Sequence, residues 1–369
     1  MSIKITNPGM QTTLQDAGRW GYQNVGMTVA GAMDLFALRC ANILVGNDQN
    51  EACLEVLMMG PTIEFDEDET IAVTGGNLSP MLNGQPINNW ESIEVKKSDK
   101  LSFKGKKSGL RCYIAFSKTI DVPVIMGSKS TFLRGNLGGF EGRKLAKGDE
   151  LKLGSKAQAK AGKKIDEKYI PTYKKEDTIR FVFGPQDDAF TDEAKETIQK
   201  NPYAITAESD RMGYRLDGEK ITHKDSADII SDGIVFGSIQ VPSHGSPIVM
   251  MGDRQTTGGY TKIGTVITPD LSILAQMDPG CKVQFKAISV EEAQKIYEEY
   301  ETAFEQIKNS LVEVAQPVDA QPSHAESEKA SPVSAPKVNA PATNVKFGEN
   351  SYTTSFNGTT YNITVKQVF

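Results

Sequence analysis

The chain has 369 residues, of which 38% are apolar, and its formal net charge at neutral pH is −6. This length predicts two or three domains, and the absence of a basic stripe interleaved with aromatic residues argues against a nucleic-acid-binding surface. No apolar run approaches the length of a membrane span, and neither the four scattered cysteines nor the three histidines are spaced as metal ligands. We therefore expect a cytoplasmic protein without a membrane contact or a metal site.

The N-terminal region predicts a strand, a polar loop and a helix. Residues 2–6 alternate apolar and polar side chains, as a strand does. From residue 32 the apolar positions fall on one helical face, with Asp34 in the first turn and Gly46 as the C-cap.

The loop between that strand and that helix carries a candidate binding group. Arg19, Trp20, Tyr22 and Gln23 follow one another between glycines. An arginine and two aromatic rings on a flexible loop suit a planar polar ligand, although stacking of Arg19 on Trp20 for packing is an equally good interpretation.

Short strands with regular turn signals follow between residues 53 and 116, and Asn83-Gly84 predicts a type I′ hairpin. This spacing favours a barrel or a sandwich over βαβ units. The lysine-rich residues 156–175 predict a solvated connector between domains.

The second domain is expected to begin with a strand at residues 180–183 and a helix near residues 191–199. Arg211, Tyr214 and Arg215 then surround a glycine, and an apolar strand over residues 233–242 carries Gln240. These polar groups are candidates for ligand binding because each follows or interrupts an apolar segment.

The densest polar group follows a predicted buried strand at residues 248–251. It consists of Asp253, Arg254, Gln255, Thr256 and Thr257, and two glycines follow it. An ordinary turn does not need this set of hydrogen-bonding groups. The residues alone leave two alternatives open: a binding site with Arg254 at a cleft mouth, or a polar loop whose side chains bond to one another.

The C-terminal region predicts a long helix, a linker and a hairpin. Ser289 and Glu292 form a capping box, and the apolar stripe that follows is expected to pack in the core or between domains. Residues 313–346 are rich in Ala, Pro and Ser and predict a disordered linker. Residues 347–369 predict a β-hairpin around Asn357-Gly358.

Six motifs occur in order along the chain: PGMQTTLQDAGRWGYQNVGM, GAMDLFALRCANILVGN, GSKSTFLRGNLGGFEGR, SDRMGYRLDG, GSIQVP and GDRQTTGGYTKIGTVI. Together they resemble the biotin-dependent carboxyltransferase family, and the resemblance covers about residues 3–293. That family includes the C-type subunit of bacterial 5-oxoprolinase, the antagonist of a sporulation-kinase inhibitor, and the second allophanate-hydrolase-type subdomain of urea carboxylase.

The resemblance implies a mainly β fold with some α. We expect two cyclophilin-like β-barrel subdomains at residues 1–155 and 176–312, separated by the connector at 156–175. The linker at 313–346 and the hairpin at 347–369 follow. The hairpin is similar to the one in biotin carrier proteins, but the chain lacks the carrier motif Ala-Met-Lys-Met, so we interpret it as a truncated remnant.

Two departures from the family pattern affect this expectation. Residues 117–120 read Ser-Lys-Thr-Ile where similar proteins usually carry Ala-Gly-Gly-Ile. Trp20 replaces the usual proline of the Gly-Arg-Pro-Gly-Tyr-Gln segment, which is expected to alter the shape of that loop.

The resemblance leaves three functions open. The first is a component of an ATP-dependent 5-oxoprolinase, working with a sister subunit similar to allophanate hydrolase subunit 1 and with a LamB/YcsF-type subunit. The second is transfer of CO2 from carboxybiotin, held on a separate carrier, to urea or a related amide. The third is a non-catalytic regulator of a sister protein. The chain carries neither a P-loop nor a biotinylation motif, so ATP is expected on a partner or shared with it.

Both enzymatic alternatives act on a planar amide, and this chemistry assigns roles to the polar candidates. A bidentate arginine suits a substrate carboxylate, and Arg211, Arg215 and Arg254 are the candidates. Asp253 could accept the amide N–H or act as a base, and Tyr214 or Thr256 could stabilise a developing oxyanion. We therefore expect Asp253, Arg254 and Tyr214 to be catalytic. The expected substrate-binding residues are Arg19, Gln23, Arg211, Arg215, Gln240, Gln255, Thr256 and Thr257.

Overall fold

The computed structural model describes residues 2–156, 161–314, 348–356 and 359–367. Spatial contacts group residues 1–317 into one compact unit and residues 318–369 into another. Residues 157–160 of the predicted connector, residues 315–346 of the predicted linker and the predicted Asn357-Gly358 turn lie outside the described residues.

The described part of the chain is mostly β-strand with few helices, as predicted. Its α-helices are α1 (Leu35–Val45), α2 (Asp192–Lys200), α3 (Thr268–Leu274) and α4 (Val290–Asn309). The strands up to the connector are β1 (Ser2–Asn7), β2 (Gln11–Gln15), β3 (Cys53–Leu57), β4 (Thr62–Phe65), β5 (Glu69–Asn77), β6 (Pro80–Leu82), β7 (Gln85–Pro86), β8 (Glu91–Val95), β9 (Lys100–Phe103), β10 (Ser108–Phe116), β11 (Lys118–Ile120) and β12 (Glu150–Lys156). The later strands are β13 (Lys163–Lys164), β14 (Glu176–Phe183), β15 (Tyr203–Ile205), β16 (Gly213–Asp217), β17 (Asp228–Gly233), β18 (Ser238–Gln240), β19 (Ile248–Met250), β20 (Thr257–Tyr260), β21 (Lys262–Val266), β22 (Lys282–Ala287), β23 (Val312–Glu313), β24 (Gly348–Phe356) and β25 (Thr359–Gln367).

Residues 2–156, here called the N-terminal half, supply most strands of two seven-stranded sheets. One has the order β11-β12-β1-β4-β9-β6-β7, and the other β2-β3-β10-β5-β8-β13-β23. Ile3 and Ile5 of the first sheet share a buried apolar cluster with Val56 and Ile114 of the second. The predicted hairpin is present: Leu82 pairs with Gln85 across the Asn83-Gly84 turn. The N-terminal half therefore buries its core between two sheets.

Residues 176–287, here called the barrel half, form a closed barrel with the strand order β14-β21-β18-β19-β16-β15-β22. The barrel closes through parallel pairing of β14 with β22, whereas its other pairs are antiparallel. A separate two-stranded ribbon joins β17 to β20. The barrel core includes Phe181, Tyr203, Val249 and Phe285, all less than 2% exposed.

The helices begin where side-chain caps are available. The Asp34 carboxylate accepts a hydrogen bond from the Ala37 amide at the start of α1, and Gly46 ends that helix in the left-handed conformation. Ser289 caps α4 in the same way. The stripe of α4 is buried only towards its C-terminus, because Phe304 is covered whereas Tyr297 is 45% exposed. This corrects the expectation that the whole stripe packs in the core.

The two halves meet along an interface that we call the seam. Gln276, which follows α3, reaches from the barrel half into the N-terminal half. Its side-chain oxygen accepts hydrogen bonds from the amides of Leu110 and Arg111 at 2.9 and 3.0 Å, and its nitrogen donates to Asp34 at 2.6 Å. The connector also contributes, because β13 pairs with both β8 and β23.

The second unit contains the hairpin of β24 and β25, in which Gly348 pairs with Gln367 and Phe356 with Thr359. None of the helices that the structure describes is long and apolar enough to cross a membrane.

Candidate functional site

Four charged side chains are buried together at the seam, and we call them the ion network: Glu55, Arg111, Arg211 and Asp253. Arg211 lies at its centre. Its Nε and Nη2 donate to the two Asp253 oxygens at 3.1 and 2.8 Å, and its Nη1 donates to Glu55 at 2.5 Å. Nη2 also donates to the carbonyl of Gly31 at 2.6 Å. The guanidinium therefore makes four hydrogen bonds to the protein.

Arg111 completes the ion network from strand β10. Its Nη1 donates to the Tyr214 hydroxyl at 2.6 Å and to the carbonyl of Ala275 at 2.5 Å. Its Nε lies 3.9 Å from Glu55, whose other oxygen accepts a hydrogen bond from the Tyr113 hydroxyl at 2.7 Å. Two cations thus face two anions.

The charges of the ion network stabilise one another to different degrees, because burial raises the pKa of Asp253 and Arg211 offsets only part of this effect. Burial alone would raise the pKa of Glu55, but Arg211 and Arg111 hold it below its ordinary value. Burial would likewise lower the pKa of Arg211, but Asp253 and Glu55 raise it above its ordinary value. Because each arginine faces a carboxylate, the network has little uncompensated positive charge to offer a ligand.

A cavity of about 400 Å³, here called the seam cavity, opens beside the ion network. Three of the predicted site residues line it, namely Arg211, Tyr214 and Asp253. The rest of the lining is largely apolar. Tyr214 is 1% exposed and is held by Arg111.

A larger groove of about 1220 Å³, here called the Arg254 groove, lies against α3 and α4. Its lining includes the predicted residues Gln23, Arg254 and Thr256, and also Trp20 and Tyr297. Trp20 is 52% exposed, so the departure from the family's usual proline adds an aromatic wall to this groove.

Arg254 is buried in the groove without an acidic partner. It is 4% exposed, and no carboxylate of the described residues lies within 4.0 Å of its guanidinium. Its Nε donates to Ile234 at 3.4 Å, its Nη1 donates to Met251 at 3.3 Å, and its carbon lies 5.4 Å from the centre of the Phe236 ring. Burial lowers its pKa to about 10, and Asp253 offsets only part of this effect. A buried guanidinium with two long hydrogen bonds retains donors for an anion.

Asp253 and Arg254 are adjacent in sequence but face different cavities, and Asp253 pairs with Arg211. Arg254 lies at the groove floor, not at a cleft mouth, because the carbonyls of Ile234 and Met251 hold it inside. The structure thus separates the three predicted catalytic residues: Asp253 and Tyr214 line the seam cavity, and Arg254 lines the groove.

The remaining predicted residues lie outside both linings. Arg19 is fully buried and donates to the carbonyls of Ile125 and Ser130, both at 2.9 Å. Gln240 is 3% exposed and donates to Tyr260 at 3.4 Å, while Gln255 is half-buried. Thr257 is exposed on β20, and Arg215 is exposed on β16, 4.0 Å from Glu208.

Sequence reasoning missed four buried polar residues at the seam: Glu55, Arg111, Tyr113 and Gln276. Glu55 and Arg111 interrupt the apolar strands CLEVL and SGLRCYIAF. A charge within such a strand is a signal for a buried ion pair, because unpaired charges are rarely buried. Among the residues that the structure describes, no group of His, Cys, Asp and Glu is arranged to hold a metal ion.

Comparisons with known proteins show which family the chain belongs to. The family model described as carboxyltransferase domain, subdomain A and B, matches residues 25–287. The C-type subunit of the 5-oxoprolinase of Escherichia coli (strain K12) is 36% identical over 305 residues, which are 83% of this chain and 97% of that relative. The urea amidolyase of Saccharomyces cerevisiae is 32% identical over 327 residues, 83% of this chain but 18% of that relative. The crystal structure of Kluyveromyces lactis urea carboxylase is 28% identical with a TM-score of 0.78, over 88% of this chain and 32% of that one.

Proposed function

Because the chain belongs to the carboxyltransferase-domain family of subdomains A and B, we propose that it is a cytoplasmic component of an ATP-dependent 5-oxoprolinase. That reaction converts 5-oxo-L-proline, ATP and water to L-glutamate, ADP and phosphate. The similarity to the C-type subunit of a 5-oxoprolinase over 97% of its length supports this choice.

The observation that carries the proposal is the unpaired guanidinium of Arg254. A substrate with one carboxylate would satisfy the donors that the protein leaves free, and a charge-assisted hydrogen bond of this kind is strong in a buried site. Arg211 and Arg111 are less suited to this role because each faces a carboxylate. Arg211 is paired with Glu55 and Asp253, and Arg111 lies 3.9 Å from Glu55.

The rest of the groove suits a small cyclic amide. The rings of Phe236 and Trp20 offer apolar surface to a five-membered ring, and the side chains of Thr256 and Gln23 offer hydrogen-bonding groups to its amide. We assign Arg254 to substrate binding, and Asp253 and Tyr214 to positioning, because both are tied to arginines of the ion network.

The groove suits a single carboxylate better than a triphosphate. Among the described residues, Arg254 is the one basic side chain in its lining, and the acidic Glu298 also contributes to it. We therefore place the binding of ATP on a partner or across an interface with it. The proposed partners are a sister subunit similar to allophanate hydrolase subunit 1 and a LamB/YcsF-type subunit.

Carboxyl transfer from a separate carboxybiotin carrier to urea is the second candidate. The similarity to urea amidolyase and to the urea carboxylase structure favours it. Urea has no carboxylate, so in this function Arg254 would pair with the carboxylate of carboxybiotin and not with the amide substrate. The two candidates therefore make opposite predictions about how strongly binding of the amide substrate depends on a carboxylate.

The test compares the purified chain with a complex reconstituted from its sister subunits. We expect ATP-dependent turnover of 5-oxoproline from the complex and none from the chain alone. Turnover by the isolated chain would contradict the need for partners. A complex that assembles but turns over neither 5-oxoproline nor urea would favour the regulatory function.

Substitution of Arg254 tests its role within that complex. Arg254→Lys keeps the charge but loses the two-pronged geometry, so we expect kcat/KM for 5-oxoproline to fall by roughly one to two decades. The matched control is Arg143→Lys, on a partly exposed side chain outside both cavities, which is expected to leave kcat/KM unchanged. Unchanged turnover with a lowered Tm in Arg254→Lys would mean that Arg254 is only structural.

A further inference from the structure

A third cavity, of about 220 Å³, lies where α1, α3, α4 and the connector meet, and we call it the aromatic cavity. Its walls include the rings of Phe36, Tyr169, Tyr173 and Tyr300. It is distinct from the Arg254 groove and the seam cavity, since it shares no lining residue with either. Its volume suits a molecule of only a few non-hydrogen atoms.

A buried carboxylate without a cation borders this cavity. Asp34 is 1% exposed, and its oxygens accept hydrogen bonds from neutral groups, among them the Ala37 amide and the Gln276 side chain. No Lys, Arg or His of the described residues lies within ion-pair distance of it, and none lines the cavity. An ionised carboxylate in this position lacks the pairing that buried charges normally have.

Two tyrosine hydroxyls of the same wall are buried and poorly satisfied. The hydroxyl of Tyr173 forms no hydrogen bond within the described residues, and the hydroxyl of Tyr300 faces the Ser272 side chain without a hydrogen bond of normal geometry. Buried hydroxyls are normally satisfied, so each unpaired one needs an explanation. Both can accept a hydrogen bond from a ligand.

The surrounding charges reinforce the negative character of the site. Glu55 lies close enough to Asp34 to disfavour its ionisation further. The nearby guanidinium of Arg39 is bound through two hydrogen bonds by Glu301, at 2.7 and 2.8 Å, and lies over the ring of Phe304. Arg39 is therefore engaged elsewhere, and Asp34 keeps an uncompensated charge.

We propose that the aromatic cavity binds a small organic cation of the primary alkylammonium class. The aromatic rings attract a cation through their electron-rich faces, and Asp34 supplies the opposite charge. The three N–H donors of a primary ammonium match three acceptors, namely the uncompensated Asp34 carboxylate and the two tyrosine hydroxyls. The short alkyl chain would pack against Pro171 and Pro269. This site is independent of the proposed 5-oxoproline site.

Isothermal titration calorimetry on the full chain tests the proposal, with propylammonium chloride as the probe and 1-propanol as its uncharged counterpart. Both titrations are done at mildly alkaline pH and constant ionic strength. We expect saturable one-site binding of propylammonium and at least about tenfold weaker binding of 1-propanol, since a desolvated cation–aromatic contact and an ion pair both depend on the charge. Equal binding of the two probes, or no saturable binding of propylammonium, would overturn the proposal.

Two variants locate the binding site. Asp34→Asn keeps a capping side chain for α1 but removes the charge, and we expect propylammonium affinity to fall by about tenfold or more. Tyr300→Phe removes one hydroxyl and is expected to weaken binding several-fold, whereas Tyr297→Phe, one turn earlier on α4, is the matched control and should not change it. If Asp34→Asn does not fold, the propylammonium affinities of the two tyrosine variants decide whether the aromatic cavity is the binding site. Undiminished affinity in Tyr300→Phe would then contradict the site.

Discussion

Two buried arginines of this protein have opposite electrostatic situations. Arg211 is surrounded by Glu55, Asp253 and the Gly31 carbonyl, whereas Arg254 has only two long hydrogen bonds to carbonyls. The first guanidinium stabilises the fold, because removing it would leave two buried carboxylates unpaired. The second is available to a ligand. Burial alone therefore does not distinguish a structural arginine from a binding one, and the pairing of its donors does.

At the scale of the residue, Asp34 makes a prediction about pH. Burial raises its pKa to about 6, above the ordinary aspartate value of 3.8, and hydrogen bonds from Gln276, Ala37 and Ser272 offset only part of this effect. The folded state therefore binds the proton more tightly than the unfolded state. The contribution of the Asp34 carboxyl group to the free energy of unfolding is fully present below the pKa that it has in the unfolded state. This contribution is lost as the pH rises through about 6.

Asp34→Asn is expected to remove that part of the pH dependence. Urea unfolding of the wild type and the variant between about pH 4 and pH 7 measures this dependence. The two proteins are compared by the slope of the free energy of unfolding against pH. Titration of other groups affects both proteins equally. Parallel curves for the two proteins would show that Asp34 does not titrate in this range.

At the scale of the element, α4 shows what periodicity predicts and what it cannot. The apolar stripe predicts the face of the helix correctly. Periodicity does not reveal what covers that face. In the structure, the first turns of α4 border the Arg254 groove through Val290 and Tyr297. Phe304, further along, packs against Phe36 and Tyr300 with ring centres 5.4 and 5.0 Å apart.

Two alanine substitutions on α4 should therefore differ in their effect. Phe304→Ala removes a fully buried ring and is expected to lower the free energy of unfolding by about 3–5 kcal/mol. Tyr297→Ala, on a side chain that is 45% exposed, is expected to cost much less. Chemical denaturation of both variants measures the difference, and similar losses would contradict the unequal burial of the stripe.

The distinction between a local sequence pattern and the tertiary contacts that cover it explains how much of the structure could be predicted from sequence. The helix that ends at Gly46, the hairpin at Asn83-Gly84 and the strand before Asp253 depend on local patterns, and all were predicted. Helix α3 was not, because its seven residues are too few for a periodic apolar pattern to show. The pairing of Arg211 with Glu55 and Asp253 joins residues far apart in sequence, and a single sequence carries no record of such contacts.

At the scale of the whole molecule, the ion network and Gln276 join the two halves of the first unit. Glu55 and Arg111 come from the N-terminal half, and Arg211 and Asp253 come from the barrel half. Because these groups are buried, opening the seam would separate each charge from its partners. We expect the two halves to unfold together.

Arg211→Met tests the seam. It leaves Glu55 and Asp253 without their shared partner, so we expect a loss of about 3–5 kcal/mol in the free energy of unfolding. Lys200→Met is the matched control, because it breaks an exposed ion pair with Glu196 and should cost less than about 1 kcal/mol. Equal losses in the two variants, measured by urea unfolding, would show that the ion network does not hold the halves together.

The pairing of β13 with β23 has a consequence for the evolution and engineering of this fold. The backbone leaves the second seven-stranded sheet just after Lys164 and returns beside it at Val312, so both crossing points lie at one sheet edge. The intervening segment is thus a lobe with adjacent ends, the arrangement that tolerates insertion and circular permutation. Such a lobe can be exchanged between related chains without rerouting the sheet that carries it.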